Sequence, residues 1–209
     1  INGSDQYGQK LKCIIKCPPI LFSMDDENQI HYKNIKMSID GIEGEVCADK
    51  YTYIIESKLV GDFNAENILS ALTVAHALGI KKEVIEKGIK LCKTIPGRME
   101  IFQQQNGSKI IVDYAHTPDA YQKILSTIKN LSPKSSRLYL VFGAGGERDK
   151  TKRSKMAKIA EIYSDFCFVT PDNPRNEDQG KIFNDIVRGF KENNYLLYND
   201  PYISLVFTV

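Results

Sequence analysis

Short apolar stretches separated by turn residues fill the first 60 positions: CIIKC at 13–17, ILFSM at 20–24, IHY at 30–32, YTYIIES at 51–57, then LVGDF. Short runs broken by turns read as strands, so this part is expected to be β-rich. The period then changes. Residues 64–78 put Ile68, Leu69, Leu72, Ala75 and Leu78 on one helical face, with Asn64 the expected N-cap and Gly79 the expected C′ residue. A second helix, 82–92, stops before Ile95-Pro96-Gly97, and the Pro-Gly pair is the expected domain boundary.

Beyond it the pattern reads βαβαβα. Residues 99–103 and 109–114 predict two strands joined by a hairpin through Asn106-Gly107. Thr117 is placed to cap the next helix, with Pro118 at its first position and Asp119 set favourably against the dipole. The run 137–142, apolar at nearly every position, predicts a parallel strand buried on both faces. A helix at 154–163, a strand at 166–170 and a helix at 181–190 follow, and the tail from Tyr195 is apolar enough for one more strand. The fold class is therefore α/β: a Rossmann-like C-terminal domain with a mostly parallel sheet and right-handed crossovers, preceded by an incomplete β-rich half domain. Lacking an initiator Met and opening on Ile1 to Gly3, the chain is expected to begin mid-domain.

Three strand-to-helix junctions concentrate the polar residues: IIVDYAHTPDA at 110–120, LVFGAGGERDKTKR at 140–153 and FVTPDNPR at 168–175. They are expected at one edge of the parallel sheet, outside the carboxyl ends of the strands, where open α/β sheets bind ligands.

Composition narrows the classes. The chain has 209 residues, 42% hydrophobic and 26% charged, which suits an ordinary globular protein. A net charge of +2 is too small to argue for nucleic acid or an anionic membrane. Cys13, Cys17, Cys47, Cys92 and Cys167 are dispersed without zinc-site spacing, which suggests reduced thiols and a cytoplasmic location. The amino terminus lacks the regions of a signal peptide, and no apolar run approaches the ~20 residues of a membrane helix.

Residues 142–146, Phe-Gly-Ala-Gly-Gly, leave a strand towards a helix and are followed by Arg148, Lys150, Lys152 and Arg153. Glycine backbone, helix dipole and basic side chains together suit an anion such as a phosphate or carboxylate. It is neither a P-loop, since Asp149 replaces the glycine before Lys150-Thr151, nor a dinucleotide fingerprint, since Arg148 takes the third glycine's place. In Asp172-Asn173-Pro174-Arg175 the guanidinium fork suits a carboxylate, Asn173 both donates and accepts, and Asp172 can receive an ammonium group; a plain Asx turn with a solvated arginine is the alternative. Asp113 ends a strand where carboxylates take ribose hydroxyls, and His116 reads either as a base or as a second cap. His31 and His76 have no recognisable partners; His76, in an apolar helix, is expected in the core or an interface. The side-chain amide of Asn67 can pair with an adenine edge.

Taken in order, G-x-F-N-x-x-N (61–67), P-G-R-M-E (96–100), V-D-Y-A-H-T-P-D-A (112–120), F-G-x-G-G-x-R-D-x-x-K-R (142–153) and D-N-P-R (172–175) resemble the Mur ligase family, and within it the members that add meso-diaminopimelate to UDP-N-acetylmuramoyl-dipeptide. The resemblance spans about residues 61–190 and implies residues 1–97 as the C-terminal half of a central ATP-binding domain and 98–209 as the Rossmann-like C-terminal domain. It further implies activation of a D-glutamyl carboxylate by ATP and Mg²⁺, and amine attack on the acyl phosphate to form an amide. By the same resemblance Asn67 would contact adenine, Arg98 and Asp113 the ribose, and Arg148, Asp172, Asn173, Pro174 and Arg175 diaminopimelate. No residue is assigned a catalytic or metal-ligating role. The implied partners are the UDP-muramoyl dipeptide and diaminopimelate, for a monomer that needs neither nucleic acid nor membrane.

Departures accompany the match. The family's P-loop, Mg²⁺ ligands, carbamylated lysine and uridine-binding domain are absent from these residues, as is its G-x-G-H-E motif; Asn199-Asp200-Pro201 onward does not match it. The chain alone is therefore expected to be inactive. The alternatives are a relative adding lysine or acting on folate, and a non-catalytic amino-acid-binding module; Arg175 argues against lysine. A nicotinamide-dependent enzyme fails for want of its glycine fingerprint.

Overall fold

A computed structural model describes residues 1–25 and 28–199. Two compact units divide the chain, Ile1–Ile101 and Phe102–Val209.

The first unit opens with α1 (Gln6–Ile14), where the sequence led to an expectation of strands. Asp5 makes the difference: its carboxylate accepts from the amides of Tyr7 (2.8 Å) and Gly8 (3.0 Å), holding the first turn. The residues that read as an apolar run, Cys13 and Ile14, end this helix, and Tyr7 and Ile14 point outward, 75% and 74% exposed. Then come β1 (Phe22–Ser23), β2 (Ile30–Ser38), β3 (Gly41–Ala48) and β4 (Tyr51–Ser57), in the order β1-β2-β3-β4. Only β1 runs parallel to its neighbour; β2, β3 and β4 form an antiparallel meander.

Alternation decides the buried face, with Ile42, Val46 and Ala48 of β3 and Tyr53 and Ile55 of β4 turned inward. Helix α2 (Asp62–Ala77) brings Ile68, Leu69 and Leu72 into the same core. Its N-cap lies three residues earlier than expected: Gly61 (φ 96°) takes that place, and Asn64 sits inside the helix with its amide donating to the Val60 carbonyl at 2.8 Å. Gly79 (φ 69°) follows the last turn as a left-handed C′ residue, as expected. Helix α3 (Lys82–Leu91) lies along β4, the sheet's edge among the described strands, and Glu86 accepts the Ile54 amide at 2.7 Å. An otherwise open edge N–H is thus closed.

His76 has the partners that its sequence context hid. Nδ1 meets the Tyr53 hydroxyl at 2.8 Å and Nε2 the Asp49 carboxylate at 3.1 Å, tying the last turn of α2 to the β3–β4 turn. Burial of Tyr53 pushes its pKa up.

The chain enters its second unit through β5 (Glu100–Gln103) and β6 (Lys109–Val112), which form the expected hairpin, with Gly107 at φ 90°. Helix α4 (Pro118–Leu131) is capped by Thr117 as predicted, its hydroxyl accepting from the Ala120 amide at 3.2 Å. Next are β7 (Tyr139–Phe142), α5 (Thr151–Tyr163), β8 (Phe166–Val169), α6 (Gln179–Val187) and β9 (Tyr195–Leu197). The three strands β7, β8 and β9 are parallel, in that order.

Two expectations change here. Among the described residues β6 pairs with β5 and not with this sheet, so only the junctions after β7 and β8 share a sheet edge. The doubly buried strand is β8, not β7: β8 has a neighbour on each side and buries Cys167, Phe168 and Val169, whereas Tyr139 at the sheet's border is 46% exposed. Leu125 of α4, Met156, Ala157 and Ala160 of α5, and Ile182 and Ile186 of α6 complete the core. The expected tail strand is β9; positions 200–209, including Asp200 and Pro201, lie outside the described residues.

The two faces of α2 predict different mutational costs. Leu72→Ala, fully buried, is expected to lower unfolding free energy by about 2–5 kcal/mol in urea titration. Val74→Ala on the same helix, 58% exposed, is expected to stay within about 0.5 kcal/mol of the parent; equal costs would contradict the packing described.

Candidate functional site

Beyond β7 the chain runs 143–146 directly against the loop beyond β8. A Cβ on Gly143 would stand 2.4 Å from the Thr170 carbonyl oxygen, and one on Gly146 only 1.9 Å from that of Pro174. The Gly146 amide donates to the Asn173 carbonyl at 2.8 Å. These glycines admit a crossing loop. Of the amides in the anion cradle read from the sequence, that of Gly146 is already spent within the chain.

The basic residues after the glycines divide by direction. Arg153 occupies the first position of the buried stripe 153, 156, 157, 160 of α5, so its side chain points inward, with 0% exposure. Its Nη1 donates to Glu177 (2.8 Å) and Asp185 (2.9 Å), and its Nη2 to Glu177 (2.7 Å) and the Gly145 carbonyl (3.0 Å). Glu177 also accepts the Glu147 amide at 3.0 Å and pairs with Lys150 at 3.0 Å. Hydrogen bonds from Arg153, then from the Glu147 amide and Lys150, hold the Glu177 carboxyl far below the usual carboxylate range. Asp149 fills the N-terminus of α5, accepting from the Thr151 amide (2.9 Å) and hydroxyl (2.7 Å), and these bonds lower its pKa. Lys152 reaches the first junction, donating to the His116 carbonyl at 2.9 Å.

Arg148 is the cation left over. It is exposed and makes no hydrogen bond or ion pair among the described residues. Across the crossing, Arg175 adopts a left-handed backbone (φ 50°), as does Glu147 (φ 53°). The Arg175 amide donates to Asn173 Oδ1 at 3.2 Å, which is the Asx turn weighed above, and its Nη1 donates to the Gly146 carbonyl. A Cβ built on Gly145 would lie 3.4 Å from Arg175 Nη1 and 3.7 Å from Asp172 Oδ2. Arg148, Asp172, Asn173, Pro174 and Arg175 are thus all carried by two loops locked together at Gly145-Gly146. Two guanidinium groups, a carboxylate and an amide at one crossing suit a ligand bearing both carboxylates and an ammonium group.

The other sequence-predicted residues are placed separately. Asp113, half-buried at the end of β6, accepts the Ala115 amide at 2.7 Å. His116 is exposed, its Nδ1 bonded to the Tyr114 carbonyl at 3.0 Å, which favours the local structural role over a base. In the first unit Asn67 is exposed on the first turns of α2, its Nδ2 3.4 Å from Asn64 Oδ1. Arg98 is exposed beyond the Pro96-Gly97 turn, its amide donating to the Ile95 carbonyl at 3.0 Å. Sequence reasoning missed Glu177 and Asp185. The available signal was Arg153 itself, a charged residue in register with Met156, Ala157 and Ala160, which demands buried acidic partners.

A depressed carboxyl binds fewer protons folded than unfolded, so its stabilising effect is whole above the ordinary glutamate value and fades as pH falls below it. Glu177→Gln should therefore lower the melting temperature at pH 7, with the gap from the parent narrowing between about pH 5 and pH 2. Parallel melting curves at all pH values would contradict the ion network.

Family models match twice: "Mur ligase, glutamate ligase domain" over residues 97–202 and "Mur ligase middle domain" over residues 1–75. UDP-N-acetylmuramoyl-L-alanyl-D-glutamate–2,6-diaminopimelate ligase of Geobacter metallireducens is 37% identical over 191 residues, covering 91% of this chain and 37% of the relative. The enzyme of the same name from Lactiplantibacillus plantarum is 33% identical over 205 residues, covering 98% and 41%. A solved structure bearing that name superimposes with TM-score 0.66 at 28% identity, covering 99% of this chain and 44% of the other. Folylpolyglutamate synthase from Thermotoga maritima, at TM-score 0.77 and 21% identity over 96% of this chain and 46% of the other, shares the fold. The chain spans about two fifths of the length of the curated relatives it matches. With one family model covering more than half of its residues and a second preceding it, the chain belongs to the Mur ligase family.

Proposed function

We propose that this chain is the amino-acid-binding part, with an edge of the ATP site, of a ligase that adds meso-diaminopimelate to UDP-N-acetylmuramoyl-L-alanyl-D-glutamate in peptidoglycan precursor synthesis. The observation that carries the reading is the crossing at Gly145-Gly146, which holds Arg148, Asp172, Asn173, Pro174 and Arg175 together. The distal centre of diaminopimelate carries both an ammonium and a carboxylate group, and lysine lacks that carboxylate. A guanidinium fork beside a carboxylate answers both groups. Relatives named for this reaction at 33–37% identity support the same assignment.

In this reading residues 1–97 are the later part of the middle domain and 98–209 the C-terminal domain of a monomeric cytoplasmic enzyme. Among the described residues no helix is long and apolar enough to cross a membrane. ATP activates the glutamyl carboxylate as an acyl phosphate, and the diaminopimelate amine displaces phosphate to form the amide. Of ATP, the chain takes the nucleoside end. The Asn64 amide, anchored on the Val60 carbonyl, turns its oxygen to Asn67, which leaves Asn67 an acceptor and a donor for an adenine edge. Arg98, in the same unit as Asn67, takes a ribose hydroxyl. Among the described residues no group of three or more His, Cys, Asp or Glu could hold a metal ion.

Titration calorimetry with meso-diaminopimelate and L-lysine tests the site. The chain is expected to bind diaminopimelate at least about tenfold tighter than lysine, and Arg175→Ala to cost about 2–5 kcal/mol of diaminopimelate binding with little effect on lysine. A variant that binds diaminopimelate as the parent does would overturn the assignment.

A further inference from the structure

We propose that Arg153 and Glu177 are positioning residues for the amino-acid site: buried behind it, they fix the spacing of Arg148 and Arg175 and thereby its selectivity. The inference rests on the reading of those two arginines as ligand-binding.

Neither residue of the pair reaches the ligand side. Arg153 is fully buried and Glu177 is 9% exposed, yet their bonds end on both loops. Arg153 holds the Gly145 carbonyl from below, while Glu177, itself part of the second loop, takes the Glu147 amide of the first. Asn176 donates to the Glu147 carboxylate at 3.1 Å, adding a second stitch beside the first. Glu147 immediately precedes Arg148, and both Glu147 and Arg175 stand in left-handed backbone that non-glycine residues adopt only when their surroundings hold them there. The stitches hold Glu147 from two sides, and one of them starts at Asn176, the residue after Arg175. The guanidinium fork matters as well as its charge: Nη1 and Nη2 each donate one N–H to Glu177, leaving the second N–H of Nη1 for Asp185 on α6 and that of Nη2 for the Gly145 carbonyl, a set of directions that an ammonium group cannot reproduce. Relaxing the pair would leave the cations present and loosen their separation, so a ligand with a single carboxylate would lose less than one that needs both.

Two readouts on the 209-residue chain test this. The first needs no ligand: the Gly146 amide, bonded to Asn173 and not to Glu177, should exchange its hydrogen at least tenfold faster in Glu177→Gln and Arg153→Lys, while amides inside α5 and α6 that remain folded keep their protection. The second is the ratio of meso-diaminopimelate to lysine affinity, expected to fall at least tenfold in the same variants. A residue serving stability alone would lower the melting temperature and leave this ratio unchanged. Should Glu177→Gln fail to fold, Glu177→Asp, which keeps the charge on a shorter side chain, carries both readouts. Unchanged exchange at Gly146 or an unchanged ratio in a folded variant overturns the proposal. A parent chain that fails to bind diaminopimelate sinks the site reading and the selectivity claim with it, while the Gly146 amide still decides whether the pair fixes the two loops.

Discussion

One buried guanidinium organises the second unit. Removing Arg153 from water is costly unless its N–H groups are answered, and the fold answers both Nη atoms with two carboxylates and a carbonyl drawn from three segments. That requirement draws α6 towards α5 and sets the loop after β8 on the loop after β7. The apolar core beneath, from Met156 to Ile186, accounts for compactness; it does not dictate which polar residues meet at the sheet's edge. The ion network does.

The glycines and the network are complementary. Gly143 and Gly146 let the two loops approach to distances that a side chain would forbid, and the charges hold them there. Either alone is insufficient: a close crossing without the pair has little to resist separation, and the pair without the glycines has no room to form. Strain at Glu147 and Arg175 is tolerable in such a setting because the surrounding bonds over-determine the backbone.

Features specified within a few residues were legible in advance. The Thr117-Pro118 start of α4, Gly79 after α2 and the Asn106-Gly107 hairpin each depend on local geometry, and each was read correctly. Misreadings arose where a local signal had two meanings. Cys13 and Ile14 look like a strand until Asp5 is recognised as a cap eight or so positions earlier. The apolar run before Phe142 looks central, but strand order, which sequence does not state, puts β8 there. At the candidate site, the polar residues that the two loops carry were legible as types, whereas Arg153 was misread as facing a ligand when its side chain is buried. Its partners lie 24 and 32 residues away, beyond any local pattern.

The absence of free space where Gly146 passes Pro174 has a further meaning. A contact that close cannot be compressed, and the bonds across it resist extension, so the roots of Arg148 and Arg175 are set apart by a ruler and not by a hinge. New preferences among amino acids would then arise by changing what stands at the ends of that ruler, leaving its length alone, and one backbone could serve a family whose members differ in the cargo they join.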